Sequence, residues 1–210
     1  MSLQDSSLNP PRRRRRQVDG RRLRSERTRH LIIEAYLDLL KRAPGMPTAG
    51  QIAAQAGYSV RSIFERFSDL DALGIAAADY ALALAQAEAV AHDVDGDRAT
   101  RIRSHVETRS SSCEKWLPLW RILVQTQSRL TDLRSRVALA RQGSLERLQL
   151  MYQPELSVLD TPARQQLQAA LVLLTSFESW DLMRDHFALS PEEGREVWCG
   201  TIDRMLPPTP

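Results

Sequence analysis

Cysteine is scarce in this chain: Cys113 and Cys199 are the only two among 210 residues, far apart and outside any CxxC or Cys/His spacing. Their placement excludes a disulfide framework or a zinc module as the organising element, and both thiols read as small buried hydrophobes. The four histidines, His30, His92, His105 and His186, are equally scattered, so no metal and no other cofactor is expected. No window approaches about 18 uninterrupted apolar residues. The alanine-rich stretch from Ala72 to Ala91 comes nearest, but Asp79, Gln86 and Glu88 interrupt it, which argues against a membrane span or a membrane partner. The N-terminus opens on polar residues and arginines, without the apolar segment and small-residue cleavage site of a secretory signal, so the expected location is cytoplasmic. Alternating β-branched runs and repeats of solenoid period are missing as well. Nowhere do a nucleophile, a base and an orienting group fall at usable spacing, so an enzyme is not expected.

What the chain does have is helical periodicity. Hydrophobic residues make up 42% of it and recur at intervals of three and four over long stretches, which predicts an all-α protein with a sizeable core. Its charge is unevenly divided. Residues 1–29 hold ten arginines against Asp5, Asp19 and Glu26, a balance of +7, whereas the whole chain is only +3 and the remainder is therefore −4. Basicity concentrated at one end suits an arm that meets a polyanion while the body does something else.

Residues 1–22 are arginine-dense and poor in apolar residues, and read as a disordered arm. A first helix is predicted from Ser25 to Arg42, with Ile32, Ala35, Tyr36, Leu39 and Leu40 as its apolar stripe. Thr48 with Gln51 forms a capping box opening a second helix that ends at Gly57, and Ser59 is the natural N-cap of a short third one. Ser68 with Asp71 reads as another capping box, opening a long helix toward Val90. Further helices are predicted over Thr100–Cys113, Leu117–Gln127, Asp132–Tyr152, Pro162–Phe187 and Pro191–Leu206, with Thr161 and Ser190 as capping hydroxyls ahead of first-turn prolines. The chain divides accordingly into the arm (1–22), a three-helix unit (23–68) and a larger helical unit (69–210).

The stretch from Thr48 to Phe67, TAGQIAAQAGYSVRSIFERF, is the most informative. Two short helices fold about Gly57, where positive φ carries no steric cost, and Ala53 permits their close crossing. Ile52, Ala56, Tyr58, Ile63 and Phe67 supply the apolar seam, leaving Ser59, Val60, Arg61, Ser62, Glu65 and Arg66 outward, able to reach base edges and phosphates of double-stranded DNA. Phe64 is open to a backbone or thymine-methyl contact besides a core role, and the Thr48 hydroxyl can touch phosphate as well as cap. In these residues, with HLIIEAYLDLL before them and SDLDAL after, the chain resembles the tetracycline-repressor (TetR) family of bacterial regulators. Thr175 to Trp198 resembles the paired C-terminal helices with which many members dimerise.

The resemblance implies an N-terminal helix-turn-helix domain, a helical domain responding to a small-molecule effector, and a homodimer that places two motifs about one duplex turn (roughly 34–36 Å) apart on a pseudo-palindromic operator, usually for repression. Leu171, Leu174, Trp180 and Trp198 become candidates for the dimer interface. Three positions depart from the family pattern: Phe64 stands at the usual tyrosine, Leu70 at a common lysine, and Arg61 where glycine is frequent. The first two remove groups that would bind phosphate, and Arg12, Arg13, Arg14, Arg15 and Arg16 are expected to compensate from the arm, whose extended reach from Arg16 to Ser25 is about 30 Å, enough for a neighbouring minor groove. In the larger unit His105, Trp116, Trp120, Tyr152, Phe177 and also Trp180 are candidates to line an effector cavity, with plain core packing as the alternative for each. Two rival functions stand beside this reading: a sequence-indifferent nucleic-acid binder driven by the arm, and an all-α ligand-binding protein or enzyme in which the motif is coincidental.

Overall fold

The computed structural model describes residues 12–43, 45–88, 91–128 and 130–210, and among them every regular element is a helix. The first, α1 (Arg12–Arg42), is followed by α2 (Ala49–Ala56) and α3 (Val60–Phe64), and then by α4 (Leu70–Glu88). The remaining helices are α5 (Arg98–Thr126), α6 (Thr131–Met151), α7 (Gln153–Ser157), α8 (Thr161–Leu174), α9 (Phe177–Asp185) and α10 (Pro191–Met205).

Helix α1 begins well before the expected Ser25, so residues 12–22, read from sequence as a disordered arm, continue the helix instead. Arginine is among the better helix formers, and only Gly20 in this stretch opposes helix. Local pairs support it: Arg22 meets Glu26 at 2.9 Å and Arg24 donates to the Gly20 carbonyl. Residues 1–11, and the side chains of Arg12 to Arg16, lie outside the described residues. Ile33 and Leu37 are buried beside the expected stripe, because α1 packs on α2, α4 and α5 at once and needs a wider apolar face.

Four boundaries differ from expectation for identifiable reasons. Asp69, not Ser68, caps α4 by accepting from the Ala72 N–H at 2.7 Å, and Asp160, not Thr161, caps α8; in both places a carboxylate supplies a charged acceptor where a hydroxyl was expected. Helix α5 runs unbroken through Pro118. Interior proline costs about 3 kcal/mol, but Cys113, Trp116, Leu117, Leu119, Trp120 and Leu123 around it are all buried, and the packing holds the helix together. The single helix expected over 162–187 divides where Ser176 takes up extended backbone and caps α9 through the Ser179 N–H. The capping box at Ser190 and Glu193 forms as expected.

Helix α4 alone among the described residues is long and apolar enough to cross a membrane, but here Leu73, Gly74, Ala76, Ala77, Ala78 and Ala81 are buried against neighbouring α1, α5 and α6. Small side chains let three helices approach one. Below this layer the start of α5 ties down the C-terminal end: Arg98 meets Asp203 at 2.7 Å and donates to carbonyls of the last turn of α10 and the segment after it, where the helix dipole is negative. Arg101 pairs with Glu155 of α7, and both are nearly inaccessible, at 5% and 0%. The Gly96 carbonyl and the Thr209 hydroxyl complete that cluster.

Removing one member of a buried ion pair leaves the other charged and unsolvated. Arg101→Met is therefore expected to lower stability by about 3–5 kcal/mol, while the double change Arg101→Met with Glu155→Leu recovers most of it; urea unfolding of both measures this, and a decrease below about 1 kcal/mol for the single change would contradict it.

Candidate functional site

Two features stand out, a solvent-facing helix at one end and a cavity in the larger unit. The first is built by local chemistry. Thr48 and Gln51 cap α2 reciprocally, with Thr48 N–H to Gln51 Oε1 at 2.8 Å and Gln51 N–H to Thr48 Oγ1 at 3.3 Å. Gly57 takes φ of 72°, and the N–H groups of Tyr58 and Gly57 return to the carbonyls of Ala53 and Ala54, closing α2 with a Schellman turn. Ser59 then caps α3 through the Ser62 N–H at 3.1 Å. These caps fix the angle between α2 and α3, while Ile52, Ile63 and Phe67 bury the seam.

Helix α1 holds the far end of α3. Arg29 donates to the Arg66 carbonyl at 3.0 Å and lies 4.3 Å from the Phe67 ring centroid, so a residue counted only as part of the basic segment becomes a clamp. Thr28 Oγ1 lies 3.3 Å from the Tyr58 hydroxyl, joining α1 to the turn.

The outward set is narrower than expected. Ser59, Val60, Arg61 and Glu65 are exposed, and the Arg61 side chain, 88% accessible, meets Glu65 at 3.0 Å. Arg66 folds back: it donates to the Ser62 carbonyl at 3.0 Å and keeps only 23% of its side-chain surface, because the C-terminal carbonyls of a short helix attract a nearby cation. Ser62 is half-buried, with its hydroxyl 3.0 Å from that of Ser59. Phe64, in contrast, is 46% exposed and stands one turn from the exposed Val60, so α3 presents two apolar side chains to solvent. Thr48 is exposed at the start of α2.

The second feature is a cavity of about 410 Å³ among α4, α5, α6 and the start of α9. His105, Trp116, Trp120 and Phe177, four of the six sequence candidates, line it, and Trp180 stands apart from it; Trp120 stacks on Phe177 with centroids 4.6 Å apart. Tyr152 does not. It lies behind the wall, fully buried, with its hydroxyl 2.7 Å from His105 Nδ1. Burial and the neighbouring guanidiniums of Arg109 and Arg147 push the His105 imidazole down to about 3, so the ring is neutral, and burial raises the Tyr152 phenol. The phenol therefore keeps its proton, and the neutral ring and the hydroxyl share one buried hydrogen bond.

Sequence reasoning missed Arg109 and Arg136, which also line the cavity. Arg109 donates to the Thr175 carbonyl at 2.7 Å and lies over the Phe177 ring at 4.5 Å; Arg136 pairs with Asp79 of α4 at 2.8 Å. A signal existed for Arg109: residues 105, 109, 112, 116, 119 and 123 share one helical face, and a cation on a stripe with no acidic residue invites a partner.

Of the interface candidates, Leu171, Trp180 and Trp198 are fully buried inside this one chain, and Leu174 is half-buried. Trp180 and Trp198 pack together at 4.7 Å over Gly194, where a Cβ would come within 3.0 Å of the Trp180 ring, and the Trp180 N–H donates to Glu114. Large aromatics between α9, α10 and α5 build the core that shapes the surface. The apolar side chains on that surface are Leu182, Phe187 and Val197.

No family model and no curated protein matches the sequence. Solved structures do match. A member of the TetR family from Streptomyces coelicolor A3 aligns over 86% of this chain and 99% of its own at 20% identity and a TM-score of 0.59. A chain from Rhodococcus sp. described as a TetR-family transcriptional regulator aligns over 85% and 98% at 17% identity and 0.61. The multidrug binding protein EbrR, complexed with imidazole, aligns over 87% and 96% at 19% identity and 0.55. The chain thus has the all-α fold of TetR-family regulators.

Because the folded His105 value lies below the ordinary 6.5, the unfolded chain takes up this proton first. The stability carried by the neutral ring is complete above about pH 6.5 and drains away as pH falls toward about 3, by up to about 1.4 kcal/mol per unit. His105→Gln is expected to flatten acid unfolding across that window; an unchanged slope would show that His105 does not govern it.

Proposed function

We propose that this chain is a DNA-binding transcription regulator that answers to a small-molecule effector, acting as a homodimeric repressor on a pseudo-palindromic operator. The observation that carries the reading is the capped, solvent-facing α3, clamped by basic α1 and joined through α4 to a roomy aromatic cavity. In this reading α3 enters the major groove; Ser59 and Arg61 reach phosphates or base edges, and Val60 and Phe64 meet thymine methyls. Arg66 steadies the helix. Thr48 places its hydroxyl at a phosphate while capping α2.

The basic segment acts differently from an extended arm. As helix, Arg16 to Ser25 spans only about 14 Å, and a helix about 10–12 Å across does not enter a minor groove about 6 Å wide. Its arginines are better suited to the phosphates flanking the groove. Dimerisation uses the exposed Leu182, Phe187 and Val197, around which α9 and α10 offer a surface. EbrR in complex with imidazole supports the ligand reading of the cavity by analogy of fold.

Effector binding would act through α4, whose N-terminal end follows the helix-turn-helix and whose Ala78, Ala81, Leu82 and Ala85 line the cavity. The Asp79–Arg136 pair connects α4 to α6 across the same wall. A ligand preferring one position of α4 shifts the spacing of the two motifs by no more than its differential affinity for the two states.

Binding to the DNA flanking the chain's own gene, measured against excess non-specific duplex, separates this proposal from sequence-indifferent binding: equal competition by both duplexes would overturn specific regulation. Phe64→Ala is expected to weaken the specific complex by about 1–3 kcal/mol, with little effect on non-specific binding. Replacing Arg12 to Arg16 by glutamine is expected to weaken both alike and to lower the slope of log K on log salt by about 0.9 for each phosphate no longer neutralised. For the dimer, Phe187→Glu is expected to yield monomers in sedimentation and to abolish tight operator binding; a dimer of undiminished stability would place the interface elsewhere.

A further inference from the structure

We infer that the cavity is built for an amphipathic aromatic anion, whose acidic group binds the Arg109 guanidinium and whose ring packs on Trp116, Trp120 and Phe177. The inference rests on the effector reading above and narrows it to a chemical class.

Arg109 is held from two sides, by its Nε–H bond to the Thr175 carbonyl and by the Phe177 ring beneath it, yet no carboxylate of the described residues lies within ion-pair distance of it. Its Nε is committed, and the two terminal nitrogens remain as a fork of the geometry that carboxylates accept. The other charges around the cavity do not offset it. Arg136 is neutralised in a two-pronged pair with Asp79, at 2.8 and 3.2 Å. Glu146, the one acidic lining residue, is exposed and accepts a hydrogen bond from Gln142 at 2.9 Å, so solvent screens it.

The rest of the wall asks for a ring. Trp116 and Trp120 are more than nine-tenths buried and still line the cavity, which gives it aromatic surface against which a ring can pack. Leu139 and Leu150 line the cavity while remaining about half exposed, apolar surface that a bound ring would cover. An aromatic cation of the same size would find the same stacking but face Arg109 in a partly desolvated space.

Three probes with one ring system and different charge test this in the full chain: 2-naphthoate, 2-naphthalenemethanol and 2-naphthylmethylammonium, titrated by tryptophan fluorescence at physiological salt. Naphthoate is expected to bind at least about tenfold more tightly than the alcohol, and the ammonium more weakly than either. Arg109→Gln should abolish the preference, bringing naphthoate to the affinity of the alcohol measured in the same variant; Arg109→Lys should keep part of the preference, and circular dichroism checks that both variants are folded. Equal affinities for naphthoate and alcohol, preference for the ammonium, or a preference that survives Arg109→Gln would each overturn the anion assignment while leaving the cavity a ligand site. Absence of binding by all three would overturn the assignment together with the effector reading on which it rests.

Discussion

Helix α4 has to satisfy neighbours on several sides at once. Toward the N-terminal unit it packs on α1, where Tyr36 is fully buried, donates its hydroxyl to Met46 Sδ at 3.2 Å and lies beside Gly74. Burial there pushes the Tyr36 phenol up to about 12. His30 of α1 meets Tyr80 edge-on further along α4. Toward the larger unit the same helix packs on α5 and α6, with Asp79 paired to Arg136. Interiors packed to crystal-like density do not deform continuously. A change in what fills the cavity must therefore be absorbed by sliding or tilting of whole helices, and α4 is the helix that both units share. Its run of alanines follows from this constraint, since larger side chains would hold at least one neighbour away.

The arginines illustrate how one side chain serves different ends according to surroundings. Arg29 clamps α3, Arg66 folds onto the end of that helix, and Arg98 gathers carbonyls at the end of α10. Arg101 is buried in an ion pair, and Arg109 lies on an aromatic ring at a cavity wall. A planar fork with several donors can bind a carbonyl with one edge and keep another edge free, which a lysine ammonium cannot do. Total charge is indifferent to these distinctions. The +7 balance of the first 29 residues correctly marks a basic end, but Arg29, which contributes to it, is engaged within the protein.

Features readable in advance were those decided within four or five residues. The capping boxes at Thr48 and Ser190, the left-handed Gly57 and the Ser59 cap all formed, because each is a bond between groups a single turn apart. Expectations failed where distant packing outweighed a local signal. Pro118 marks a break by itself, yet the apolar face around it keeps α5 whole; Ser176 carries no strong break signal, yet α8 and α9 separate there. Trp180 and Trp198, candidates for the dimer interface, are fully buried within the chain and pack on each other, and the Trp180 ring lies against Gly194, a residue whose importance exists only once α9 and α10 are side by side. Arg66, expected outward, turned back onto α3, while Phe64, left open between core and contact, stands exposed.

By itself the sequence determined the helical class, the caps, the turn and the basic end, since hydrophobic period, hydrogen-bonding type and charge are properties of neighbours along the chain. The tertiary structure decided which aromatics enclose space and which fill it. It set Trp120 on Phe177 at the cavity, put Tyr152 behind His105, and left Arg109 facing the cavity without a carboxylate. These are relations between residues dozens of positions apart. They arise only when α4, α5, α6 and α9 come together, because burial and electrostatic environment depend on everything nearby in space rather than in sequence.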